Sequence, residues 1–356
     1  MIKKSKYNVA VVGVGVVGIE MIRCLKNRNF PVETLKIFAR SSREIEIDGQ
    51  KYEVRAISDE GFNGIDIALF AGTEGEKGAA VTFAKSAVER GAVVIDNGAD
   101  FRMDPKVPLA VPEVNAKDIK KHKGIIANPN CSTIQMVVAL WPIYKKVGIK
   151  RVIVTTLQAA SGAGKSAVEQ LWREVEEIVC RVQKSEVRGQ KPDIKHLTSD
   201  ICHLSSDKAM PQQLAYNVFP HIGGFCEDDY TSEEWKLVRE THKIMHDDKI
   251  KISATTVRVP VRTGHSEAVY IETKENISPE KVKALLSKSP GIILVDDIKN
   301  NRYPMPKDVE GKGETFVGRI RRDPFVKNGL WLWVVADNLL KGAALNAVQI
   351  AEHLAR

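Results

Sequence analysis

Residues Tyr7-Asn8-Val9-Ala10-Val11-Val12-Gly13-Val14-Gly15-Val16-Val17-Gly18-Ile19-Glu20-Met21-Ile22-Arg23-Cys24-Leu25 pass from an apolar strand, through three glycines, into a helical pattern. Strand, glycine loop and helix in that order give the G-x-G-x-x-G motif its meaning, because backbone without side chains can approach a pyrophosphate at a helix N-terminus. The competing reading is a tight strand-to-helix turn that binds nothing. On the first reading Gly13, Gly15, Val16, Val17 and Gly18 form the cradle of a dinucleotide.

Outward from this point, strand-like runs at 35–39, 65–71 and 92–96 alternate with helical patterns at 18–27 and 78–90, the rhythm of parallel βαβ units. The run at 35–39 ends in Arg40-Ser41-Ser42-Arg43, where an NAD-binding domain would carry an acid on the ribose 2′-hydroxyl. An arginine fork with a serine hydroxyl suits a 2′-phosphate instead, so Arg40 and Ser41 favour NADP, against the alternative of a solvated basic turn. After residue 131 the pattern changes. A helix to about 146, a β-rich run at 151–158, a polar helix to about 185, charged irregular sequence at 186–213 and later strands at 252–260, 267–273, 316–321 and 330–336 have few helices between them. The expected fold class is therefore α/β: a Rossmann-type doubly wound nucleotide domain over 1–132, and an α+β domain with a mixed or antiparallel sheet over 133–335. The closing helix, about 336–356, is expected to return to the first domain.

Composition sets limits. The 356 residues are 43% hydrophobic and 28% charged, ordinary for a globular protein with two cores. No apolar run approaches the roughly 20 residues of a membrane span, and Met1-Ile2-Lys3-Lys4-Ser5-Lys6 opens no signal segment, so a cytoplasmic protein without a membrane partner is expected. A net charge of +8 suits anionic small molecules; the basic residues form no stripe interleaved with aromatics, which argues against nucleic acid. Five scattered cysteines, without CxxC spacing, fit neither a disulfide framework nor a zinc cluster, and the His196, Cys202, His203 spacing matches no common metal site. Ser161-Gly162-Ala163-Gly164-Lys165-Ser166 ends like a Walker A loop, but position 159 is Ala159, so a turn that lets a flat nicotinamide approach fits better than a phosphate cradle.

Reactive candidates follow. Asn128-Pro129-Asn130-Cys131-Ser132-Thr133 opens an apolar helix, and the amide dipoles at its start favour a Cys131 thiolate, although a lone cysteine is also an ordinary small core residue. Arg258 alternates with apolar neighbours on a strand and, facing inward, would need an anion. His265 follows Gly264 and, with an ordinary value near 6.5, could exchange a proton at neutral pH. Either could be structural.

Four separated segments, in order, resemble the aspartate-β-semialdehyde dehydrogenase family over essentially the whole chain. They are the Asn128–Thr133 segment, the Q-x-x-S-G-x-G loop at Gln158–Gly164, Glu233-Glu234-Trp235-Lys236, and the seven-residue step from Arg258 to His265. The resemblance implies NADPH-dependent reduction of β-aspartyl phosphate to aspartate β-semialdehyde through a Cys131 thioester, in lysine/diaminopimelate, threonine and methionine biosynthesis. It implies His265 as acid/base, Gln158 orienting the acyl group, and Arg258 on the substrate α-carboxylate. Asn130 is a further substrate contact, Glu233 meets the ammonium, and Arg102 and Lys236 meet the phosphate. Without it, Glu233 and Lys236 read as an i, i+3 surface ion pair. Ser161, Gly162 and Asn338 join the cofactor residues, and a homodimer or homotetramer is implied. Two departures stand out: only Val14 separates the first two glycines where the family has two residues, and Asn97–Arg102 resembles N-acetyl-γ-glutamyl-phosphate reductase. That sister enzyme and an acyl-CoA reductase on the same scaffold are the alternatives.

Overall fold

The computed structural model describes residues 4–71, 78–187 and 209–356. The first sheet has the order β3-β4-β2-β1-β5-β6-β7. Its elements are β1 (Tyr7–Val12), α1 (Val16–Asn27), β2 (Val32–Ala39), β3 (Arg43–Ile47), β4 (Gln50–Ala56), β5 (Ile67–Phe70), α2 (Ala79–Glu89), β6 (Val93–Asp96), α3 (Pro112–Ile119) and β7 (Ile125–Ala127). β1 pairs in parallel with both β2 and β5, so the strand order reverses direction around it, and the loops after these strands open onto one crevice. A Cβ on Gly18 would lie 1.9 Å from the Gly13 carbonyl oxygen; only glycine lets α1 start this close to the end of β1.

The β3–β4 hairpin is an addition that the βαβ rhythm did not suggest. Its turn, Asp48-Gly49, has positive φ at both residues, and β4 adds to β2 in parallel while pairing antiparallel with β3.

α4 (Cys131–Val147) crosses from the first sheet to the second. Ile134, Val137, Val138, Leu140 and Ile143 are buried against Val152 and Val154, Val269 and Ile271, and Leu330, Leu332 and Val334. Truncating one such side chain, Leu140→Ala, would cost about 2–5 kcal/mol. The strands it covers belong to a six-stranded mixed sheet, order β11-β12-β13-β10-β8-β9. In chain order that half contains β8 (Ile149–Gln158), α5 (Lys165–Val187), α6 (Ser232–Met245), β9 (Lys251–Arg258), β10 (His265–Thr273), α7 (Pro279–Leu286), β11 (Ile292–Leu294), a one-turn α8 (Pro306–Val309), β12 (Thr315–Arg322) and β13 (Gly329–Ala336). β8–β9 and β11–β12 are parallel and the other pairs antiparallel. The fold is thus two-domain α/β, as the composition of strands and helices implied.

The chain then returns through a π-helical turn, Leu340–Ala344, into α9 (Leu345–Ala355). Leu345, Ala347, Val348, Ile350 and Ala351 share one apolar cluster with β1 and α1 residues such as Val9, Val11, Met21 and Leu25. The turn is pinned by Lys341, fully buried, whose Nζ donates to Glu113 at 2.6 Å, Asn346 at 2.9 Å and Gln349 at 2.7 Å. Among the described residues no helix is long and apolar enough to cross a membrane. His196, Cys202, His203 and much of the charged irregular stretch lie outside the described residues.

Candidate active site

A cleft of about 450 Å³ opens where the two sheets meet, lined by Cys131, Gln158, Glu233, Lys236, Arg258 and Arg102 among others. Asn130 caps α4: its Oδ1 accepts the Ser132 and Thr133 N–H groups at 3.0 and 3.4 Å. Cys131 is thereby the first helical residue, as the Pro-Asn turn suggested, and it stays partly exposed. Its protonation differs from the expected thiolate. Burial and the Glu233 carboxylate push the thiol up to about 12, outweighing Arg102, Arg258 and the Ser132 N–H. A helix start contributes too little to offset this burial with an anion beside it.

Glu233, in the first turn of α6, accepts from Asn130 Nδ2 at 2.8 Å and Gln158 Nε2 at 3.2 Å, and pairs with Lys236 at 3.3 Å. Burial raises its carboxyl, but Lys236 and the two amides hold it below the usual carboxylate range. The i, i+3 ion pair of the surface reading therefore exists, yet it is turned into the cleft, with Glu233 only 6% exposed. Gln158 ends β8 beside Arg258, which ends β9; the two are register partners.

Arg258 donates from Nη1 to the Ala159 carbonyl at 2.7 Å, and the Ala159 N–H donates to Nδ1 of His265 at 3.1 Å. The backbone of Ala159, the residue that departs from the Walker A pattern, thus holds both the histidine and the arginine. A Cβ on Gly162 would sit 2.9 Å from His265 Cε1 and 3.2 Å from Arg258 Nη1, which places both side chains directly behind this turn. His265 is fully buried, and its Nε2 has no hydrogen-bond partner among the described residues. Burial and Arg258, opposed by Glu233, push the imidazole down to about 3, so the value near 6.5 expected from sequence does not hold. Ser161 and Gly162 line the same cleft; Asn338 bonds Ser161 Oγ through Nδ2 at 3.0 Å and accepts the Gly264 N–H at 2.9 Å.

Arg102 is buried, with Nε on the Asn128 carbonyl, Nη2 on the Asn97 carbonyl, both at 2.9 Å, and Nη1 on Glu240 at 3.0 Å. Glu240, Asn97, Asn128 and Gly342 have no counterpart among the sequence-read candidates. Glu240 had a signal, lying seven residues after Glu233 and so on the same helical face.

A second cavity, of about 670 Å³, lies at the ends of β1 and β2 and is lined by Gly13, Val14, Gly15, Arg40, Ser41, Arg43, Thr82 and Phe83. The shortened loop still forms, and Gly15 caps α1 with extended backbone. Val16 begins α1, and Gly18 packs under the loop rather than lining the cavity. Val17, the second residue of α1, lines the first cleft, so the start of this helix lies between the two cavities.

Two family models match the chain: "Semialdehyde dehydrogenase, NAD binding domain" over residues 8–122 and "Semialdehyde dehydrogenase, dimerisation domain" over residues 140–341. The chain is 50% identical to an aspartate-semialdehyde dehydrogenase of Aquifex aeolicus, with 98% of each chain covered. It is 47% identical to one of Bacillus subtilis, covering 98% of this chain and 97% of that one. A crystal structure of aspartate semialdehyde dehydrogenase II from Vibrio cholerae complexed with ASA superposes with a TM-score of 0.86, at 40% identity, covering 99% of this chain and 98% of that chain.

Proposed function

The chain belongs to the aspartate-semialdehyde dehydrogenase family, and from that membership we propose that it interconverts β-aspartyl phosphate and aspartate β-semialdehyde through a Cys131 thioester, with NADP(H) as its cofactor. The observation that carries this reading is the convergence of one thiol, three cations (Arg102, Lys236 and Arg258) and the buried Glu233 carboxylate on a single cleft. A carboxylate accepts hydride poorly and a thioester well, so a nucleophile is needed between phosphate and aldehyde. Arg102 and Lys236 match an acyl phosphate and the phosphate it releases; Arg258 matches the α-carboxylate and Glu233 the ammonium. Asn130 steadies Glu233, and Gln158 orients the acyl group.

The charges also govern where the proton sits. Arg258 weighs more than Glu233 on the imidazole, and Glu233 weighs more than Arg258 on the thiol. A zwitterionic amino-acid headgroup neutralises both at once. Cancelling these two charges lifts part of the restraint on imidazole and thiol alike, while burial, the larger cause of both shifts, stays in place.

Gly13, Gly15 and the start of α1 at Val16 would hold the cofactor pyrophosphate, with Gly18 packed beneath them and Val17 facing the neighbouring cleft; Arg40 and Ser41 would hold its 2′-phosphate, and Ser161, Gly162 and Asn338 its nicotinamide end. When bound, the nicotinamide supplies or accepts the hydride. Exposed Ile153 and half-buried Leu157, Trp331 and Trp333 put apolar side chains on one face of the second sheet, which supports a homodimer or a homotetramer. The products would serve lysine/diaminopimelate, threonine and methionine synthesis.

The test is NADP reduction by aspartate β-semialdehyde. Sustained turnover should require inorganic phosphate, and its omission should leave about one NADPH per site. Coenzyme A replacing phosphate, or turnover with neither, would contradict the reading.

A further inference from the structure

Four charged residues of α6, Glu233, Lys236, Glu240 and Lys243, recur every three or four positions and so share one face. The first two belong to the substrate site. The next two hold the element opposite: Lys243 Nζ donates to the Arg102 carbonyl at 2.6 Å and to the Asp104 carbonyl at 2.7 Å. Glu240, 1% exposed, accepts from Arg102 Nη1 through Oε1 at 3.0 Å and from the Asn130 N–H through Oε2 at 2.7 Å. One carboxylate therefore ties an arginine of the first domain to the residue that caps the cysteine helix.

We propose that Glu240 is a positioning residue that keeps the Arg102 guanidinium aligned with Cys131, so that the phosphate-dependent half of the reaction relies on it. This deepens the reading above and rests on its assignment of Arg102 to phosphate. Two N–H donors converge on Glu240 from different elements, and an ionised carboxylate can accept from both. Glutamine would turn an NH₂ group toward one of them. Aspartate, one methylene shorter, keeps the charge but cannot span both at the same geometry. Releasing Nη1 removes the ion pair that orients one arm of the Arg102 guanidinium, and small misplacements of a binding group are costly to rate.

The experiment separates the two half-reactions in Glu240→Gln and Glu240→Asp. Rapid mixing with aspartate β-semialdehyde and NADP but no phosphate reads thioester formation as a burst of NADPH; adding phosphate reads its release. The expected result is a burst amplitude near that of the unaltered protein, a phosphate KM raised about tenfold or more in Glu240→Gln, and a smaller rise in Glu240→Asp. A role confined to folding lowers burst amplitude and leaves the phosphate KM of the active remainder unchanged. That pattern in either variant overturns the proposal. If the unaltered protein itself shows no phosphate-dependent turnover, the proposed function fails instead, whatever the variants do.

Discussion

Nδ1 of His265 accepts the backbone N–H of Ala159 at 3.1 Å, so the neutral ring carries its proton on Nε2. The histidine is thus set as a hydrogen-bond donor, and it becomes a base only when its surroundings change.

With the imidazole held down to about 3, it should not titrate across neutrality. Among the eight histidines, the 13Cε1 resonance lost in His265→Gln should keep its neutral position from pH 5 to 9. A midpoint near 6.5 would refute the burial argument. The stability consequence has a definite sign. The folded value lies below the unfolded one, so His265 favours the native state fully above pH 6.5, and that contribution is lost as pH falls from about 6.5 toward 3. Relative to His265→Gln, the parent should lose stability over this window at a slope approaching about 1.4 kcal/mol per pH unit. Parallel denaturation curves at pH 7 and pH 4.5 would contradict it.

Gly342 faces the nucleophile. A Cβ there would lie 2.8 Å from Cys131 Cβ and 3.2 Å from its Cα, with no flexible end to give way. Gly342→Ala should lower kcat by about 10- to 100-fold while NADP affinity stays within about twofold. A kcat equal to the parent's would show that the cysteine has room to move.

Arg40 and Ser41 border the larger cavity, away from the cleft. Arg40→Ala should raise the KM for NADP by about 10- to 100-fold, the worth of a charge-assisted contact, and leave the KM for NAD nearly unchanged. Equal effects on both would mean that the 2′-phosphate is held elsewhere.

Lys341 is buried and bonded to Glu113, and removing one partner of such a pair strands the other charge. Lys341→Met should destabilise the protein by about 3–5 kcal/mol and loosen α9. A melting temperature within about 1 °C of the parent's would count against this anchor.

The glycine loop, the alternation of strands and helices, and the capped start at Cys131 were legible because each depends on neighbours within a few residues. The second domain's sheet was legible as β-rich, with five of its six strands read to within a few residues; β11, three residues long, offers too short a run to show. Asp48-Gly49 between alternating runs marks a hairpin, yet the βαβ rhythm draws the eye past it. The protonation of Cys131 and His265 was not legible: both follow from burial and from Glu233 and Arg258, which arrive from α6 and β9. The same holds for Glu240, Gly342 and Lys341. Their spacing gives at most a helical face, and their role exists only once distant elements meet around Asn130, Cys131 and Glu113.

The central claim is acylation of Cys131, and trapping the acyl group tests it most directly. The protein is incubated with aspartate β-semialdehyde and NADP without phosphate, quenched in acid, and its peptides are weighed by mass spectrometry. One aspartyl group should appear on the peptide containing Cys131, disappear when phosphate is added before the quench, and be absent from Cys131→Ala, which should also lose turnover. Substantial turnover in Cys131→Ala, or an aspartyl adduct on another residue, would contradict it.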